Sequence, residues 1–246
     1  MNTSTPNRSV ITDNCPPVRN NQLPSHFSLL SPLFRESYLT AEYCMLSNQP
    51  KLGGIYVIPS SQSPSLWFGV VFVHHGLYQG GVFRFILKFP DYFPDSGQIP
   101  VLSFHPPIFH PQIHPTKGTV DLKRYFRHGW IRGNNHVWQV LKIVKSIFYK
   151  MDLSHPVDKS AAEMFEVNQE NFIAKVQQEV DLSVSRVYDE PPDGYKDPHY
   201  IRFSKYDSSL HDNIRAKALQ PLFNVLKSPV RSDEAAKKGL SFMSTP

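Results

Sequence analysis

The sequence predicts an α+β fold: one N-terminal helix, a four-stranded antiparallel meander, then C-terminal helices. Two observations predict it. Between residues 54 and 104, four short β-branched and aromatic segments are separated by Gly, Pro and Ser clusters, the signature of strands joined by tight connections. On either side, apolar residues recur at intervals of three to four, the spacing of one helix face.

The elements follow in order. Residues 1–30 are polar and interrupted by Pro6, Pro16, Pro17 and Pro24, so they read as a disordered arm. A helix is predicted from Pro32, with Leu33, Phe34, Tyr38, Leu39, Glu42, Tyr43 and Leu46 at helical spacing and a stop near Asn48 and Pro50. Strands are predicted over 54–59, 66–73, 82–89 and 101–104. The second is almost continuously apolar, which fits a strand covered on both faces. In the third, Arg84 and Lys88 share one alternating face. Asn134 and Asn135 are candidate caps for a helix over 136–150, whose apolar stripe is Val137, Val140, Leu141, Val144, Ile147 and Phe148. Further helices are expected over 160–167 and 171–187, the second with Phe172, Val176, Val180, Val184 and Val187 on one face, and another over 212–226, broken by Pro221. The domain reading is an arm over 1–30, a folded domain over 31–188, a C-terminal extension over 189–226 and a mobile tail over 227–246.

Composition narrows the function classes. The chain is long enough to bury a sizeable core. Two cysteines, Cys15 and Cys44, argue against a disulfide framework and for a reducing compartment. The longest apolar run is too short to span a bilayer, and no signal-peptide pattern is expected from the polar start. A soluble intracellular protein without membrane insertion is the expectation: cytoplasmic, with a nuclear pool also compatible. The formal net charge of +5 attracts anions only weakly unless the basic residues cluster. Such a cluster exists: Lys117, Lys123, Arg124, Arg127 and Arg132, interleaved with Tyr125, Phe126 and Trp130. It reads either as a nucleic-acid surface or, preferably, as a loop pinned to the core by its aromatics.

The motif that carries most chemistry is the segment from His110 to Leu122, His-Pro-Gln-Ile-His-Pro-Thr-Lys-Gly-Thr-Val-Asp-Leu. Together with Tyr78-Gln79-Gly80-Gly81-Val82-Phe83, Phe89-Pro90-Asp91-Tyr92-Phe93-Pro94, and Trp130 followed by His136-Val137-Trp138-Gln139-Val140-Leu141, it resembles the ubiquitin-conjugating enzymes. Gly54-Ile55-Tyr56-Val57-Ile58-Pro59-Ser60, Trp67-Phe68-Gly69-Val70, His75-Gly76-Leu77-Tyr78, Asp197-Pro198-His199-Tyr200-Ile201 and Gly239-Leu240-Ser241-Phe242 are similar to the fused-toes (Akt-interacting protein) and crossbronx group of inactive variants. The resemblance covers roughly residues 33–203 and touches the tail. It implies the ubiquitin-conjugating fold, with His110, Pro111 and Gln112 at the family's His-Pro-Asn corner. It implies that the nucleophilic cysteine's place is taken by Asp121, or by Val120 if the turn is one residue shorter. A carboxylate there would be a weak nucleophile and could not hold a thioester, since covalent catalysis needs an activated nucleophile.

No catalytic residue and no cofactor is therefore expected. His105, His110 and His114 are spaced for structural roles at proline corners rather than as paired zinc ligands. The implied function is that of an adaptor, with coiled-coil Hook-type proteins in vesicle-trafficking and motor complexes as partners. Two alternatives stand beside it: a regulatory partner of an active ubiquitin-conjugating enzyme, and a chromatin- or telomere-associated factor that binds nucleic acid. Tyr200, Ile201 and Phe203, just past an acidic proline-rich linker, are the candidate partner contacts. The competing reading is that they dock back onto the parent domain.

Overall fold

The structure, a computed structural model, describes residues 25–47, 49, 52–191 and 196–227. The expected arm, up to residue 24, and the tail from residue 228 lie outside the described residues, as does Cys15. The elements are α1 (Ser25–Leu46), β1 (Ile55–Pro59), β2 (Leu66–Phe72), β3 (Val82–Lys88), β4 (Val101–Phe104), α2 (Val137–Ile147), α3 (Lys159–Val167), α4 (Gln169–Ser185) and α5 (Ser208–Lys227). The chain divides into two units. The first holds α1 to α4 together with residues 191–201; the second holds residues 188–190 and α5.

In the first unit the four strands form one antiparallel sheet in the order β1-β2-β3-β4, the meander expected from the turn clusters. Alternation sorts their side chains. Trp67, Val71, Phe83, Phe85, Leu87, Leu102 and Phe104 enter the main core, where Val137, Val140, Leu141, Val144 and Ile147 of α2 meet them. Gly69 faces Phe85 across β2 and β3, and a Cβ there would lie 2.1 Å from the Phe85 ring, so the strand is apolar but for one space reserved for an aromatic.

The opposite face carries Phe68 and Ile86, and it too is covered. Tyr200, Ile201, Ile58 and Leu66 complete a second, smaller apolar cluster there. The nearly continuous apolar run of β2 therefore has two buried faces, and the cover over this part of the second one arrives from residues 197–201.

Four helices differ from the sequence reading. Helix α1 begins at Ser25, in the stretch read as a disordered arm, and Pro32 lies within it rather than in its first turn. Its stripe buries Leu39 and Glu42, whereas Leu33 and Phe34 are exposed, so from residue 33 on the apolar contact with the core starts near Tyr38. Helix α2 is capped by His136, not by Asn134 or Asn135: the Asn135 carboxamide instead accepts from the Ile131 amide at 2.7 Å. In α4 the stripe buries Phe172, Val176 and Val180 and then leaves the core, with Val184 exposed. Helix α5 runs continuously through Pro221.

A candidate corner without a thiol and a docked C-terminal segment

The segment from His110 to Leu122 forms a clamped corner. His110 is fully buried, and its ring tilts against Tyr78 at 5.2 Å. Its Nδ1 accepts from the Gln112 amide at 2.9 Å, so the proton sits on Nε2, which donates to the Ile147 carbonyl at 3.1 Å, at the end of α2. Burial disfavours the imidazolium and brings the pKa down to about 4, with the Ile147 hydrogen bond opposing the shift. The ring is therefore neutral at physiological pH, with both nitrogens occupied. Pro111 adds a second tie: its carbonyl accepts from the amides of Val157 and Asp158 at 2.7 and 3.0 Å. Asp158 in turn caps α3, its side chain accepting from the Ser160 and Ala161 amides. The corner is thus fixed to the end of α2 and to the start of α3.

From there the chain folds back on itself. The His114 amide donates to the Thr119 carbonyl, the Gly118 amide donates to His114, and Ile113 pairs with Val120. Gly118 has φ +66°, and a Cβ at this position would lie 2.2 Å from the Phe104 carbonyl oxygen, so only glycine fits the turn. Val120 is buried, and its amide donates to the Leu102 carbonyl. Asp121 is exposed, and its carboxylate accepts from the Lys123 amide at 3.1 Å. Of the two positions aligned with a nucleophile, the surface one is Asp121.

Gln112 is buried. Its side-chain nitrogen reaches Tyr125 Oη only at 3.5 Å, and its carbonyl oxygen has no partner among the described residues. Cys44 is an exposed free thiol on α1. His105 pairs with Ser103 Oγ at 2.9 Å, and His114 Nδ1 faces the Thr116 and Lys117 amides, so the three histidines of the stretch have separate partners and do not converge. Among the described residues no group of three or more His, Cys, Asp or Glu side chains is placed to hold a metal ion.

The basic cluster does not present a stacking platform. Phe126 and Trp130 are buried in the main core. Tyr125 is the exposed aromatic, and the Arg124 guanidinium lies over its ring at 4.8 Å. Arg124 pairs with Asp152, and Arg132 approaches Asp95 at 3.5 Å.

Tyr200 and Ile201, candidate partner contacts in the sequence, dock onto the sheet. Tyr200 is only 7% exposed and meets the Phe68 ring edge-on at 5.1 Å. Ile201 is half-buried in the same cluster, whereas Phe203 is half-buried in the second unit. The docked segment is tied down by Asp197. Its carboxylate accepts from Ser60 Oγ at 2.5 Å, Ser61 Oγ at 3.0 Å, the Ser61 amide at 3.2 Å and the His199 amide at 2.8 Å. Burial alone would raise its pKa, but these donors outweigh burial and hold the carboxyl well below the usual carboxylate range. His199 Nδ1 adds a bond to the Pro59 carbonyl at 2.8 Å.

Sequence reasoning did not find Asp197, nor the role of Glu42. The Glu42 carboxylate is buried and accepts from His136 Nδ1 at 3.0 Å and from the Val137 amide at 2.8 Å, joining α1 to the N-terminus of α2. An acid at an apolar position of the α1 stripe was the available signal. For Asp197 it was a local one, an Asp-Pro pair, which favours a turn in which the aspartate accepts from the amide two residues on.

Residues 38–180 match the ubiquitin-conjugating enzyme family. Over 188 residues the chain is 44% identical to the AKT-interacting protein of Rattus norvegicus and 43% identical to that of Homo sapiens. The match covers 76% of the chain and 63% of each relative. AKT-interacting protein homolog A of Xenopus laevis is 43% identical over the same share of the chain and 62% of its own length. The chain thus spans less than two thirds of the relatives' length. Among the described residues, no helix is long and apolar enough to cross a membrane.

Proposed function

The chain belongs to the ubiquitin-conjugating-enzyme family, and from that premise we propose that it is a catalytically inactive member whose work is to bind other proteins. One observation carries the reading. Cys15 and Cys44 are the only cysteines, and neither lies between residues 110 and 122, where the resemblance expects the nucleophile. A carboxylate at Asp121 cannot form a thioester, and the neutral, doubly bonded His110 supplies shape rather than a base. The corner keeps its scaffold and lacks its nucleophile.

The relatives' name, AKT-interacting protein, describes protein binding, and work of that kind is proposed for this chain. Coiled-coil Hook-type adaptors in vesicle-trafficking and motor complexes are the proposed partners, as the fused-toes resemblance implies, and the cytoplasm is the proposed location. Incubation with ubiquitin-activating enzyme, ATP and ubiquitin should give no thiol-sensitive adduct on a non-reducing gel. An adduct abolished by Cys15→Ser or Cys44→Ser would overturn the inactive assignment. Failure to retain a Hook-type coiled coil in a pull-down would remove that partner and leave the inactive assignment intact.

A further inference from the structure

The loop between β3 and β4 and the segment after Asp121 border an open groove of about 460 Å³, a volume within the usual range of ligand sites. One wall is residues 97–99; the other carries Lys123, Phe126, Arg127 and Gly129. The walls are joined by backbone: the Trp130 amide donates to the Gly97 carbonyl at 2.8 Å, and a Cβ on Gly129 would lie 2.5 Å from that same oxygen. The groove is therefore built by a close approach that a side chain at residue 129 would prevent. Its apolar lining is the buried Phe126 and the half-buried Ile99.

Its charge is not neutralised. The cations around it have partners: Arg124 has Asp152, Arg132 has Asp95, and Arg35 has Asp91. Lys123 and Arg127 are both exposed, and among the described residues neither side chain has a hydrogen bond or an ion pair. The nearest acid in sequence, Asp121, is directed to the Lys123 backbone amide. An apolar lining with two uncompensated cations at its rim matches carboxylates flanking one apolar side chain. Two cations are few for a phosphate backbone, whose binding grows with the number of phosphates neutralised, and Phe126, the ring that lines the groove, is buried, while the exposed Tyr125 ring is covered by the Arg124 guanidinium.

We propose that this groove is a docking site for an acidic peptide segment of a partner protein, with Lys123 and Arg127 holding its carboxylates over Ile99 and Phe126. The assignment stands whether or not the chain can conjugate ubiquitin. The test uses the ¹⁵N-labelled full chain and a blocked Glu-Glu-Leu-Glu-Glu peptide at low salt. Saturable amide shifts at residues 97–99 and 129, developing below about 1 mM peptide, are expected. The Lys123→Ala/Arg127→Ala double variant should weaken binding about fivefold or more, since two partly solvated charge pairs are removed. An Arg215→Ala/Lys217→Ala variant on α5 should bind as the unmodified chain does. Absence of those shifts, equal weakening in the α5 variant, or a single-stranded oligonucleotide that shifts the same amides at lower concentration than the peptide would each overturn the proposal.

Discussion

The corner at His110 and the docked segment at Asp197 are each organised around one buried polar side chain, and the two manage burial in opposite ways. His110 is kept neutral: both ring nitrogens meet backbone partners, and burial suppresses the proton that would add charge. Asp197 is kept ionised: five donors, from Ser60, Ser61 and Gln62 of the β1–β2 turn and from its own segment, compensate the carboxylate. A neutral buried ring fixes geometry through shape and two bonds. An ionised buried carboxylate fixes it through short, charge-assisted bonds that weaken sharply if one donor is lost. The two regions should therefore fail under different conditions.

Acid separates them, with the largest expected effect. His110 has a folded pKa depressed to about 4 from an ordinary 6.5. Below pH 6.5 the unfolded chain takes up a proton that the folded chain refuses, so its contribution is fully present above 6.5 and is lost as pH falls toward 4. The full loss is about 3 kcal/mol. Asp197 is also depressed, from 3.8, so its contribution persists through that window and is lost only below it. Denaturant unfolding at several pH values between 7 and 4 should show stability falling more steeply in the unmodified chain than in His110→Gln. Equal slopes would remove His110 as the acid-sensitive element.

The docked segment should respond to packing rather than to mild acid. Tyr200→Ala removes the edge-on contact with Phe68 and should cost about 2 kcal/mol, whereas Phe203→Ala in the second unit should cost about 0.5 kcal/mol or less. Melting curves and pull-down of a Hook-type coiled coil, measured on both variants, divide fold from interface. A Tyr200→Ala chain that melts normally but loses the coiled coil would make Tyr200 a partner contact after all.

The two regions also differed in how far they could be read from sequence. The corner was legible because its constraints are local: prolines, a glycine turn and a fixed spacing lie within thirteen residues. The meander was legible for the same reason, each strand being marked by composition and bounded by turn residues. The cover over the outer sheet face was only half visible. The apolar run from Leu66 signalled two buried faces, but nothing in it named the cover, because the Asp197 bonds to Ser60 and Ser61 bridge 137 and 136 residues. The same limit hid Glu42. Its place on an apolar stripe suggested a buried face, but its partners, His136 and Val137, stand more than ninety residues away. The caps of α2 misled because two adjacent asparagines satisfy the local preference equally well, and tertiary packing committed Asn135 to the Ile131 amide instead.

The smallest expected effect tests the Asp197 region most directly. Ser61 is exposed, so removing its hydroxyl opens no cavity. What it loses is one bond to an ionised acceptor at 3.0 Å. Ser61→Ala should therefore destabilise the chain by about 1 kcal/mol at pH 7. In an Asp197→Ala background the same change should cost close to nothing, because the acceptor has already gone, so a double-mutant cycle should return a coupling of about 1 kcal/mol. At pH values well below 3.8 the coupling should shrink, since protonation removes the charge that strengthens the bond, whereas His110 has already lost its own contribution by then. Coupling near zero at pH 7 would mean that Ser60 and the backbone amides hold Asp197 by themselves. The ionised carboxylate would then resemble the His110 ring in depending on a few buried partners rather than on every donor in reach.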